Sequence, residues 1–73
     1  MDRTKYLQLC QLNAVYPKSK KVKYDGHEYY PIHYILGFDK SGQARHTAEI
    51  ESANASQCHM FVKLSEVEEI EKV

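Results

Sequence analysis

Tryptophan is absent from this chain, and glycine, proline and cysteine are scarce, at three, two and two in 73 residues. Cys10 and Cys58 are too few for a disulfide scaffold. Both fall in apolar-patterned stretches, which points to buried free thiols. No apolar run approaches the roughly 20 residues of a membrane-crossing helix. Met1–Lys5 also lacks the apolar centre of a signal peptide, so a cytoplasmic location is expected. Gly26, Gly37 and Gly42 stand alone, and no glycine-rich phosphate loop, serine-nucleophile motif or metal-ligand spacing occurs. Net charge is zero. These absences remove the usual signatures of an enzyme, and a chain with no cofactor and no metal is expected.

What the chain does have is alternation. From Tyr30 to Phe38 every even position (Tyr30, Ile32, Tyr34, Leu36, Phe38) is large and apolar or aromatic, the period of a strand with one buried face. Asp39-Lys40-Ser41-Gly42 suits a type I turn closed by a left-handed Gly42. That turn pairs Phe38 with Ala44, Leu36 with His46, Tyr34 with Ala48 and Ile32 with Ile50, all on the even face. Turn chemistry and hydrophobic pattern thus give one register. A short polar link, 53–57, leads to a further alternating stretch containing Cys58, Met60, Val62 and Leu64. Pairing Ser52 with Cys58 sets Ile50 opposite Met60 and Ala48 opposite Val62.

Upstream, Asp2 or Thr4 suits the cap of a helix running to about Val15, with Leu7, Cys10 and Ala14 sharing one face and Tyr6, Leu9 and Asn13 beside it. A strand is the rival reading, and Pro17 stops either. Asp25-Gly26 signals a tight hairpin. A two-residue turn there pairs Val22 with Tyr29, which breaks parity with the downstream face. Either the loop is Asp25-Gly26-His27, or a bulge at Pro31 switches the face. At the other end, Ser65-Glu66-Val67-Glu68 has capping-box spacing, and Val67, Ile70 and Val73 recur at threes, favouring a short helical turn. The expected fold is a single α+β domain, 1–73. Its small, strongly bent antiparallel sheet has about four strands, in the manner of an SH3-like barrel, with a helix before it and a helical turn after it.

The odd face of the sheet carries the polar chemistry. The registers put His33 opposite Glu49 and Glu51 opposite His59, a strip of cross-strand imidazole–carboxylate pairs. Strands on either side of a central one lie about 10 Å apart, too far for His33 and His59 to share a metal ion. His46, opposite Leu36 on the apolar face, reads as a rim residue. Cys58 and His59 are adjacent and point to opposite faces, so they form no dyad.

Two docking surfaces remain. Lys18, Lys20, Lys21 and Lys23 beside Tyr24 suit a nucleic-acid backbone. Ile35 and Phe61, apolar on an otherwise polar face, suit a protein partner or a second copy. Charge is uneven along the chain: residues 1–23 carry a surplus of five positive charges and residues 51–73 a surplus of three negative ones. The two ends can attract within one molecule or across a dimer. The reading that follows is a small non-enzymatic protein-interaction module, open to self-association, in a bacterial or phage-like cytoplasm. A nucleic-acid-binding accessory protein is the alternative.

Overall fold

A computed structural model describes residues 1–54 and 58–70. Helix α1 spans Arg3–Val15, followed by strands β1 (Val22–Tyr24), β2 (His27–Phe38), β3 (Ala44–Ser52) and β4 (His59–Lys63). A three-residue 3-10 turn, Leu64–Glu66, precedes β5 (Glu68–Glu69). The strands form one antiparallel sheet in the order β4-β3-β2-β1-β5, which is not closed into a barrel. Only 64–67 separate β4 on one edge from β5 on the other. So short a link obliges the sheet to curl.

The central hairpin forms as its turn dictates. Gly42 sits at φ 85°, and the Gly42 amide donates to the Asp39 carbonyl at 3.0 Å. The Asp39 carboxylate accepts from the Ser41 hydroxyl at 2.6 Å, the Gln43 amide at 2.9 Å and the Ser41 amide at 3.0 Å. These bonds, that from the Ser41 hydroxyl first, hold the Asp39 carboxyl below its ordinary range. From this turn Phe38 pairs with Ala44, Leu36 with His46 and Tyr34 with Ala48, and β4 adds Ala48 with Val62 and Ile50 with Met60.

Upstream the register shifts by one. Asp25 and Gly26 both take positive φ (50° and 79°), making the two-residue turn that pairs Val22 with Tyr29. Ile32 is then the extra residue of a bulge between Pro31 and His33, so Pro31 rather than Ile32 lies opposite Ile50. Pro31 has no N–H to give a ladder, and a bulge beside it is where such a residue is tolerated. Within β2, odd-numbered residues face inward upstream of the bulge and even-numbered ones do downstream.

Helix α1 packs on the inner face, but on a different stripe from the one hydrophobicity suggests. Tyr6 and Leu9 are buried, with Cys10 partly so, whereas Leu7 and Ala14 are exposed. Polar anchors decide the rotation. The Tyr6 hydroxyl donates to the Glu49 carbonyl at 2.7 Å. The Asn13 amide donates to the Lys20 carbonyl at 3.0 Å, and Asn13 Oδ1 accepts from the Lys20 amide at 2.8 Å. Asp2 caps the helix, accepting from the Thr4 amide at 3.4 Å. Around Tyr6 and Leu9 the core gathers Val22, Ala48, Ile50, Val62, Leu64 and Val67. Neither cysteine is fully buried: Cys10 is intermediate, and Cys58, just before the edge strand β4, is exposed.

The C-terminal helical turn expected from Ser65 onward is replaced by the 3-10 turn and β5, which makes five strands rather than four; Val73 lies outside the described residues. Cross-strand partners explain the change. Extended backbone sets Glu68 opposite Lys23 and Glu69 opposite Val22, and Glu69 meets Lys5 at 3.2 Å. The basic and acidic ends therefore meet within one molecule.

The inner face is covered along only part of its length. A 13-residue helix reaches about 20 Å, whereas a 12-residue strand reaches about 40 Å. Leu36 and Phe38, which share that face with the core, stay 45% and 67% exposed. We expect Tyr6→Phe, which leaves a carbonyl without that donor in a buried site, to lower stability by about 1–3 kcal/mol. Leu7→Ala should change it by less than about 0.5 kcal/mol. Urea denaturation of both variants checks the inferred rotation of α1.

Candidate functional site

On the outer face, three strands place four titratable side chains in a chain of contacts. Glu49, on the central strand, receives His33 Nδ1 at 3.0 Å on one carboxylate oxygen and His59 Nδ1 at 2.9 Å on the other. His59 Nε2 reaches Glu51 Oε1 at 2.9 Å. The pairing His33–Glu49 and Glu51–His59 is the one the registers require; the bridging by Glu49 comes from the bidentate reach of its carboxylate. With an acceptor on each ring nitrogen, His59 satisfies both bonds only as the doubly protonated imidazolium. Its pKa accordingly rises above the ordinary 6.5, through Glu49 first and Glu51 second. The Glu49 carboxyl falls below its ordinary 4.5 through His59 first and His33 second. The imidazole nitrogens thus point at carboxylate oxygens. Among the described residues no set of three or more histidine, cysteine or acidic side chains is arranged to hold a metal ion.

The lysine-rich loop borders this strip, because Tyr30, which its lysines approach, pairs with Glu51. Lys18 and Lys21 hold their ammonium groups 5.9 and 5.8 Å from the Tyr30 ring centre, within cation–π range. Lys21 also meets Glu28 at 3.4 Å, and Lys23 lies opposite Glu28 on the outer face. Tyr24 turns the other way, packing against the core and edge-on to Tyr29, with ring centres 6.1 Å apart. The structure therefore gathers Lys18 and Lys21 about Tyr30 and leaves Tyr24 on the opposite face. Lys20 is tied through its backbone to Asn13.

Ile35 and Phe61 are 42% and 63% exposed on the outer face, separated by the intervening strand β3. A larger apolar surface lies on the inner side of the hairpin tip, where Leu36 and Phe38 project beyond α1. Tyr34 stands between them and the core, stacked on His46 and hydrogen-bonded through its hydroxyl to His46 Nδ1. Alternation identified this face as apolar, but gave no measure of how far the helix would reach along it.

The edge of that tip is also open. β1 meets only His27–Tyr29 of β2, so no described strand pairs with β2 beyond the bulge on that side. The Asp39 amide bonds the Gln43 carbonyl at 3.0 Å, which sets the ladder's phase. Counting back by twos, Gly37, Ile35 and His33 spend their backbone groups on β3. Tyr34, Leu36 and Phe38 turn theirs to the open side. Near the tip, a cleft of about 530 Å³ between the start of α1 and β3 has Asp2, Arg3, Arg45, His46 and Lys63 among its lining residues. The chain's only arginines both line it, although 42 positions separate them. All five side chains are exposed, and Asp2, with the Asp39 carboxylate 3.8 Å from Arg45, offsets part of the positive charge of this solvated rim.

No protein family, characterised protein or solved structure matches this chain.

The paired shifts in the strip fix a pH window. The raised His59 pKa contributes stability that is full below 6.5 and lost as pH rises through the folded-state value. The lowered Glu49 pKa contributes stability that is present above 4.5 and lost as pH falls through its folded-state value. The strip is therefore strongest between those two values. An NMR titration of the imidazole rings should place the His59 midpoint above 6.5, and Glu49→Gln should move it down. A midpoint that ignores Glu49→Gln would show that the bridge does not persist in solution.

Proposed function

We propose that this chain is a small non-enzymatic protein-interaction module that accepts a strand of another chain along the open edge of β2. The observation that carries the proposal is the conjunction at the hairpin tip. Tyr34, Leu36 and Phe38 direct outward backbone groups that no strand among the described residues pairs, and Leu36 and Phe38 expose apolar side chains beside them. Main-chain bonding to such an edge gives affinity, and the alternate side chains give selectivity. Nothing between Tyr34 and Phe38 blunts the edge: the segment holds no lysine, no proline and no charge. Ile35 offers further apolar area on the outer side of the same strand.

The strand order, with a 3-10 turn joining the two edge strands, supports reading the sheet as an SH3-like arrangement left open. A cytoplasmic setting accords with the free thiols Cys10 and Cys58, and among the described residues no helix is long and apolar enough to cross a membrane. The nucleic-acid reading draws on Lys18, Lys20, Lys21, Lys23 and Tyr24. It is the lesser one, because Lys21 is partly matched by Glu28 and Tyr24 faces away from the lysines.

Amide hydrogen exchange on a dilute sample tests the open edge. The amides of Tyr34, Leu36 and Phe38 should exchange close to their unprotected rates, while those of Ile35 and Gly37 are slowed by the β3 ladder. Equal protection across all five would mean that the edge is already occupied, and the proposal would fall.

A further inference from the structure

We infer that the strand that docks on β2 is β2 of a second copy, running antiparallel about a two-fold axis through Leu36. The inference rests on the open-edge reading and names the partner that the edge selects.

Geometry restricts the choice. In an antiparallel pair, residues that turn their N–H and C=O toward each other must lie directly opposite. On this edge those residues are Tyr34, Leu36 and Phe38, bounded by the Ile32 bulge on one side and the Asp39 turn on the other. A two-fold centred on Leu36 maps this set onto itself: Leu36 faces Leu36 of the second copy, and Tyr34 faces Phe38. A centre one residue earlier would set Phe38 against the bulged Ile32. One residue later, it would set Tyr34 against Lys40 in the turn. Only the Leu36 centre leaves every outward-facing group of both strands with a partner.

The side chains agree with that register. Gly37 falls opposite Ile35, so the branched side chain meets a position with no side chain at all. His33 falls opposite Asp39, an imidazole against a carboxylate that the turn keeps ionised to low pH. No like charges meet, because the segment from Tyr34 to Phe38 is uncharged. A two-fold perpendicular to the sheet keeps both inner faces on one side. Leu36 and Phe38 of each copy then join into one apolar surface and cover part of what each leaves exposed.

Sedimentation of the intact protein over a wide concentration range should show a reversible monomer–dimer equilibrium. Leu36→Lys, at a position that is already exposed, should abolish it without unfolding the domain, whereas Phe61→Lys on the far strand should leave it unchanged. Register is read by cross-linking in a Cys10→Ala, Cys58→Ala background. Leu36→Cys should form an intermolecular disulfide under mild oxidation, since opposed residues of a bonded pair lie about 5.5 Å apart. Tyr34→Cys should not, its two copies being offset by about 14 Å along the strands. A monomer at every concentration overturns the inference, as does a dimer that survives Leu36→Lys. If the protein is monomeric while the Tyr34, Leu36 and Phe38 amides exchange freely, self-pairing fails and the interaction reading stands with a strand from a different chain. If those amides are protected in the monomer, both fail.

Discussion

The Asp39 carboxylate, gathering the Ser41 and Gln43 donors at the head of one hairpin, is the constraint on which the rest of the structure depends. It sets the phase of the β2–β3 ladder, and that phase assigns every later side chain to a face. With the phase given, Ala48 and Ile50 go inward to meet α1, and Glu49 and Glu51 go outward to meet the histidines. The same phase decides which backbone groups of β2 are spent on β3 and which are left over. Core, polar strip and open edge are three readings of one register.

Glu49 shows how closely these are joined. Its backbone carbonyl accepts the Tyr6 hydroxyl on the covered side, and its carboxylate holds His33 and His59 on the wet side. One residue thus fastens the helix to the sheet and the two outer imidazoles to each other. The wet side keeps a bonded polar array, with Glu49 only 17% exposed, although nothing there belongs to the hydrophobic core.

Much of this was legible in the sequence, wherever the determining residues were neighbours. The Asp39–Gly42 turn and the alternation on either side of it are local, and they gave the β2–β3 register from His33 to Phe38 and the β3–β4 register, including the His33–Glu49 and Glu51–His59 pairs, but not Ile32 opposite Ile50. The bulge was legible only as one of two options, because parity shows that a shift must occur but not where. The face of α1 was not legible. Tyr6 and Asn13 turn inward to reach acceptors at Glu49, Lys20 and Pro31, and no helical pattern encodes a partner that distant. β5 was hidden for a similar reason: two glutamates read as the start of a helix until Lys5 and Lys23 lie beside them. The exposure of Leu36 and Phe38 follows from the unequal lengths of helix and strand, a tertiary quantity.

The separation between Tyr6 and its acceptor has a bearing on how the chain is made. A helix of 13 residues is marginal alone in water, and the carbonyl that anchors this one lies 43 residues downstream. On the ribosome α1 therefore emerges well before its acceptor and is secured late. The hairpin, whose two arms are joined by a few residues, can close while α1 still waits for a surface to settle on.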